Sequence, residues 1–234
     1  MLRRPECSLF SWFSLGGNSI PNQTSPVVMP NWEYEIAARQ QGYRVIAGID
    51  EAGRGPLAGP VSAAAVVLPE GYVVEGLNDS KKLTEKARER IYAQLMASED
   101  VLWGHSFGEP AEIDEVNILR ANDAAMARAV AQIPAVDYVL IDGRPVKNFP
   151  LPSEGIIKGD SKSLSIAAAS IIAKVKRDHE MVRYDAEYPE YGFAKHKGYG
   201  TVAHREALKK FGPCPIHRRS FAPVAEAARL FGQG

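Results

Sequence analysis

Val45-Ile46-Ala47-Gly48-Ile49-Asp50-Glu51-Ala52-Gly53-Arg54-Gly55-Pro56-Leu57-Ala58-Gly59-Pro60 is the stretch on which the reading of this chain turns. Four of the six residues at 44–49 are apolar, with little polar alternation, which predicts a strand buried on both faces. That strand delivers two adjacent carboxylates, Asp50 and Glu51, to its end, and a Gly-Arg-Gly turn follows at once. Carboxylates are hard oxygen ligands for a divalent cation. Glycines let the backbone press against a phosphodiester or a sugar, and an arginine between them can neutralise phosphate. A metal site beside a phosphate site is therefore the first expectation. The competing account of Gly53, Arg54 and Gly55 is an ordinary turn between two strands.

Further strands are predicted at 61–68, 101–107 and 138–141, with a short fifth at Ile156-Ile157. Helices are predicted at 32–41, from the Thr84 cap onward, and over 111–133 with a break near Asn117. Others follow over 164–184, 201–211 and 223–231. Strands first, then strands alternating with helices, imply an α/β domain with a mixed sheet.

Two more carboxylates fall at informative places. Asp142 closes the strand at 138–141, and Asp160 follows Ile156-Ile157-Lys158-Gly159 just before a long helix. Strand ends of α/β sheets commonly converge on one crevice. Carboxylates sharing a crevice repel one another, and a bound Mg²⁺ or Mn²⁺ reverses that repulsion. Taken singly, each strand-end aspartate could equally cap a turn. Asp79-Ser80-Lys81-Lys82-Leu83 is a second candidate phosphate contact, through Lys81, and locally also reads as a capped helix start. Ser170 and Lys174, four apart on one helix, share a face that could meet phosphates, although Ser170 could equally serve close helix packing.

Composition bounds the rest. With 234 residues, 45% hydrophobic and 24% charged, the chain is expected to form one packed domain over 31–234. Residues 1–30, rich in Ser, Asn, Pro and Gly, are expected to form a flexible tail, and Met29 is a candidate natural start. Two cysteines, Cys7 and Cys214, without ligand spacing, argue against a disulfide framework or a zinc site and favour a reducing, cytoplasmic setting. No apolar run approaches the ~20 residues that span a bilayer, and a monomer with no membrane partner is expected. Net charge is zero, but from Gly143 onward sixteen basic residues face nine acidic ones. Lys195, Lys197, Arg205, Lys209, Lys210, Arg218 and Arg219 stand against Glu206 alone, a concentration suited to a polyanion.

Gly48-Ile49-Asp50-Glu51-Ala52-Gly53-Arg54-Gly55-Pro56, Asp79-Ser80-Lys81-Lys82-Leu83 and Ile141-Asp142-Gly143 together resemble bacterial ribonuclease HII, the type 2 ribonuclease H. Lys158-Gly159-Asp160, Ala168-Ala169-Ser170-Ile171-Ile172-Ala173-Lys174 and His196-Lys197-Gly198-Tyr199-Gly200-Thr201 follow in the family's order. The resemblance implies a ribonuclease H-like mixed five-stranded sheet flanked by helices, with a helical C-terminal region. It implies cleavage 5′ to a ribonucleotide in an RNA–DNA hybrid or in ribonucleotide-containing duplex DNA. It further implies that Asp50, Glu51, Asp142 and Asp160 form a catalytic, metal-binding tetrad for two ions. By the same likeness Gly53, Arg54 and Gly55 sense the ribonucleotide, and Tyr199 stacks at the RNA–DNA junction. Two other readings compete: a nuclease or resolvase of the same fold that reads DNA shape, and a non-catalytic nucleic-acid-binding module. Cleavage of all-deoxy substrate would favour the former, and binding without turnover the latter.

Overall fold

The computed structural model describes residues 29–78 and 80–232. The expected tail at 1–30 lies almost wholly outside the described residues, as do Cys7 and Asp79. The elements run α1 (Glu33–Gln40), β1 (Ile46–Ala52), β2 (Val61–Val67), α2 (Glu85–Ala97), β3 (Leu102–Gly108), α3 (Pro110–Val116), α4 (Ile118–Val130), β4 (Tyr138–Asp142) and β5 (Ser153–Ile156). After β5 come α5 (Leu164–Glu187), α6 (Phe193–His196), α7 (Val202–Phe211) and α8 (Ala222–Leu230).

The five strands form one mixed sheet in the order β3-β2-β1-β4-β5. β1 pairs antiparallel with β2, and β2 antiparallel with β3, while β4 and β5 continue from β1 in parallel. Period-2 alternation assigns the two faces. Ala63 and Ala65 of β2 join Ala47 and Ile49 of β1 under α4, where Ala125, Met126 and Ala129 pack. Ala64 and Val66 turn to the other face, against Ala168, Ile171 and Ile172 of α5 and Ile91 and Leu95 of α2. Gly48 marks where α5 comes closest: a Cβ there would collide with the Ser165–Ile166 backbone. Small residues on both partners thus let the long helix lie flat on the strand that carries the carboxylates.

The expected break near Asn117 is a capped junction. Asn117 adopts φ 71°, and its side chain accepts from the N–H groups of Leu119 (3.0 Å) and Arg120 (3.2 Å), ending α3 and starting α4. Thr84 caps α2 by accepting from Ala87 N–H at 3.2 Å. The fifth strand differs from expectation: it is Ser153–Ile156, and Ile157 is 57% exposed beyond its end. Its four residues lack the apolar run that marks the inner strands, because β5 is an edge strand.

Candidate active site

Strand geometry decides which carboxylates meet. Successive side chains of a strand point to opposite faces. Asp50 therefore shares its face with Gly48, toward α5, and Glu51 shares the face of Ile49, toward α4. The parallel register pairs Ile49 with Ile141, which brings Asp142 beside Asp50. Asp160 arrives from a single 3₁₀ turn, Gly159–Ser161, between β5 and α5. Lys158, in the left-handed region at φ 58°, turns the chain into it. One carboxylate oxygen from each of Asp50, Asp142 and Asp160 lies within 4.8 Å of the others. Glu51 stands apart from this trio; its carboxylate accepts from Arg54 Nη1 at 3.1 Å.

Within the trio, Asp50 and Asp142 are both disfavoured as charges. Asp50 is only 4% exposed. Burial pushes its carboxyl well above the ordinary carboxylate range, and Glu51 and Asp142 push it further; the N–H of Glu51, donating at 2.7 Å, only partly opposes this. Burial also raises Asp142, with Asp160 adding to it, against a 2.6 Å bond from Gly159 N–H. Glu51 is raised by burial and held back by Arg54. The neighbouring cation is Lys81, whose Nζ reaches Asp160 Oδ2 at 3.0 Å. Such a set, all hard oxygens and short of positive charge, suits a divalent ion.

Around the acids the surface forms two depressions. Asp50, Glu51, Gly53, Lys81, Lys174, Arg177 and Tyr199 line the first, so Tyr199, far away in sequence and 47% exposed, stands at the site. Glu51, Arg54, Asn122, Asp142, Arg144 and Lys147 line the second. Lys174 also donates to Asp178 Oδ1 at 2.7 Å. Gly55 has open space where a side chain would be. Ser170 is not brought to the opening: it is 2% exposed, and its hydroxyl donates to Ala167 O at 3.0 Å. The structure places it at the packing of α5 on the sheet.

Two residues that sequence reasoning missed hold this architecture together. Arg218, expected on a basic surface, is fully buried, a correction to that expectation. Its guanidinium donates to Gly53 O (2.6 Å), Arg54 O (2.8 Å) and Gly59 O (2.9 Å). Arg177 donates to Pro60 O (2.9 Å), Ala58 O (3.2 Å) and Lys197 O (2.9 Å). It also occupies the space beside Gly53, which sits at φ 89° and could not carry a Cβ without striking it. Burial lowers Arg177 to about 10 and Arg218 to about 9. No local pattern separates these arginines from surface ones; only the carbonyls that receive them do.

A mixed sheet ordered 3-2-1-4-5 thus carries carboxylates from adjacent parallel strands and from the entry to a long helix, a set suited to a divalent metal. The chain matches the family model for Ribonuclease HII over residues 47–224. It is 55% identical over 189 residues to the ribonuclease HII of Ruminiclostridium cellulolyticum, covering 80% of this chain and 74% of that protein. With the ribonuclease HII of Syntrophotalea carbinolica it shares 53% over 195 residues, or 82% of this chain and 92% of the relative. The crystal structure of ribonuclease H2 from Pyrococcus horikoshii superposes with TM-score 0.65 at 27% identity, over 82% of this chain and 100% of that one. The chain belongs to the ribonuclease HII family. Among the described residues no helix is long and apolar enough to cross a membrane.

Proposed function

We propose that the cleft hydrolyses the phosphodiester 5′ to a ribonucleotide, in RNA–DNA hybrids and in duplex DNA with an embedded ribonucleotide, leaving 3′-hydroxyl and 5′-phosphate ends. The observation that carries this reading is the meeting of carboxylates from three separate segments beside the Gly53–Gly55 turn and the exposed ring of Tyr199. Asp50, Glu51, Asp142 and Asp160 would hold Mg²⁺ or Mn²⁺. The fit rests on the donor set, which is all carboxylate oxygen and raised in pKa by burial and mutual repulsion at Asp50 and Asp142. Two such ions, when bound, would supply an activated water and charge stabilisation for the departing 3′ oxygen.

The remaining roles fall to the chain itself. Backbone groups of Gly53, Arg54 and Gly55 hydrogen-bond the 2′-hydroxyl, the group that marks RNA. The Arg54, Lys81 and Lys174 side chains neutralise phosphates flanking the scissile bond. Tyr199 offers a flat face to the sugar or base at the RNA–DNA junction. Ser170 supports this indirectly, by seating α5. Lys195, Arg205, Lys209 and Lys210 meet the duplex backbone, which makes affinity fall with salt. The chain acts as a monomer in the cytoplasm. Duplexes carrying one ribonucleotide, four ribonucleotides or none, incubated with Mg²⁺, Mn²⁺ or EDTA, test the reading. Cleavage is expected only next to a ribonucleotide and only with metal. Equal cleavage of the all-DNA duplex, or turnover in EDTA, would sink it.

A further inference from the structure

Behind Tyr199 lies a group of histidines that none of the chemistry above uses, and none of them lines the depression with Asp50. His204 and His217 are fully or almost fully buried. The backbone N–H of Cys214 donates to His217 Nδ1 at 3.0 Å, which fixes that nitrogen as a lone pair. The proton of His217 is then on Nε2, 3.0 Å from His204 Nε2, so His204 must accept there. His204 in turn carries its proton on Nδ1, 3.0 Å from the carbonyl of Tyr199. One backbone donor and one backbone acceptor thus dictate both tautomers. Charging either ring would set N–H against N–H. Burial supports the neutral forms, lowering His204 to about 4 and His217 to about 3.

A third ring completes the setting. His196 stacks on His204 with centroids 4.5 Å apart and an interplanar angle of 12°. It accepts from Gly198 N–H at 3.2 Å, and its Nε2 lies 2.8 Å from Tyr191 O. Tyr199 is itself tied by its N–H to His196 O (2.9 Å), and its carbonyl also receives Thr201 N–H (2.8 Å). Backbone bonds therefore hold a residue that is otherwise half exposed.

We propose that His217 and His204 form a neutral imidazole relay that positions Tyr199 and thereby sets the preference for substrates containing an RNA–DNA step. The proposal rests on the reading of Tyr199 as the junction-stacking residue. His204 and His217 are positioning residues, acting through Tyr199 and touching no substrate.

Two measurements test it. In the full-length protein, ¹⁵N spectra of the imidazoles at neutral pH should show His204 as the Nδ1–H tautomer and His217 as the Nε2–H tautomer. A charged ring or the Nε2–H form at His204 overturns the relay without any variant being made. The second compares His204→Asn, whose amide can still donate to the Tyr199 carbonyl, with His204→Gln, whose longer side chain reaches toward His217 instead. The readout is kcat/KM on a duplex with one ribonucleotide, divided by kcat/KM on a uniform RNA–DNA hybrid. We expect this ratio to fall about tenfold in His204→Gln, the worth of one stacking contact, and to stay within about threefold of the parent in His204→Asn. Equal loss on both substrates, or loss of the ratio in both variants alike, would overturn the positioning role. A parent enzyme that cleaves both substrates equally well would instead defeat the junction reading of Tyr199, while the tautomer spectra still report on the relay.

Discussion

Arg177 and Arg218 are buried as deeply as Asp50 and Asp160, yet the two sets of charges are satisfied in opposite ways. Each guanidinium spends its donors on three backbone carbonyls. The carboxylates of Asp50 and Asp142 face one another and Asp160, and their few N–H donors do not offset burial and repulsion. A buried charge whose hydrogen bonds are complete belongs to the scaffold. A buried set that raises its own free energy marks the place where something from outside completes it.

The comparison breaks most visibly at Asp50. Asp50→Asn keeps the oxygen that accepts from Glu51 N–H but removes one repelling charge. Cleavage is expected to fall by at least ~10²-fold, while the metal-free protein becomes harder to unfold in urea. A variant that loses activity and stability together would place Asp50 with the scaffold charges. Arg218→Ala should do the reverse of Asp50→Asn on stability, stranding the carbonyls of Gly53, Arg54 and Gly59. A loss of about 3 kcal/mol in unfolding free energy is expected, with Arg218→Lys recovering only part because an ammonium cannot fork among three acceptors. A loss below about 1 kcal/mol would mean water replaces the guanidinium.

Acid titration sharpens the contrast with a smaller effect. Asp50, Glu51 and Asp142 bind protons more tightly folded than unfolded. Their contribution is therefore most favourable at low pH and is lost as pH rises from the ordinary carboxylate value through the raised folded values. His204 and His217 bind protons less tightly folded, so their share is full above 6.5 and is lost as pH falls toward about 4 and about 3. The two groups oppose each other on the acid side of neutrality. Urea unfolding without metal, from about pH 4 to 7, should show a shallow slope that steepens in Asp50→Asn by roughly 1 kcal/mol over the range. An unchanged slope would mean the carboxylates do not titrate there.

The inner strands were legible because apolar runs at 44–49, 61–68 and 138–141 could only be buried, and the acids at their ends stood out against that background. Which acids converge was harder to read, since it depends on register: Asp142 comes beside Asp50 only through the parallel pairing of β1 with β4. β5 was misplaced toward Ile157 because an edge strand needs little apolar sequence. Arg218 sat unnoticed in a basic run, and Ser170 looked available for phosphate, because burial of each is decided by partners distant in the chain. α6 is a single turn with no periodicity to detect.

The parallel pairing of β1 with β4 joins segments far apart in the chain. β1, β2 and β3 are the first three strands and pair antiparallel, with α2 between β2 and β3, whereas β4 reaches β1 only after β2, α2, β3, α3 and α4 have intervened. Closing so long a loop is the slow, entropically costly part of building such a sheet. Asp142 and Asp160 meet Asp50 only at that closure. The three antiparallel strands alone carry only Asp50 and Glu51, so the repulsion that Asp142 and Asp160 add at Asp50 depends on the β1–β4 pairing.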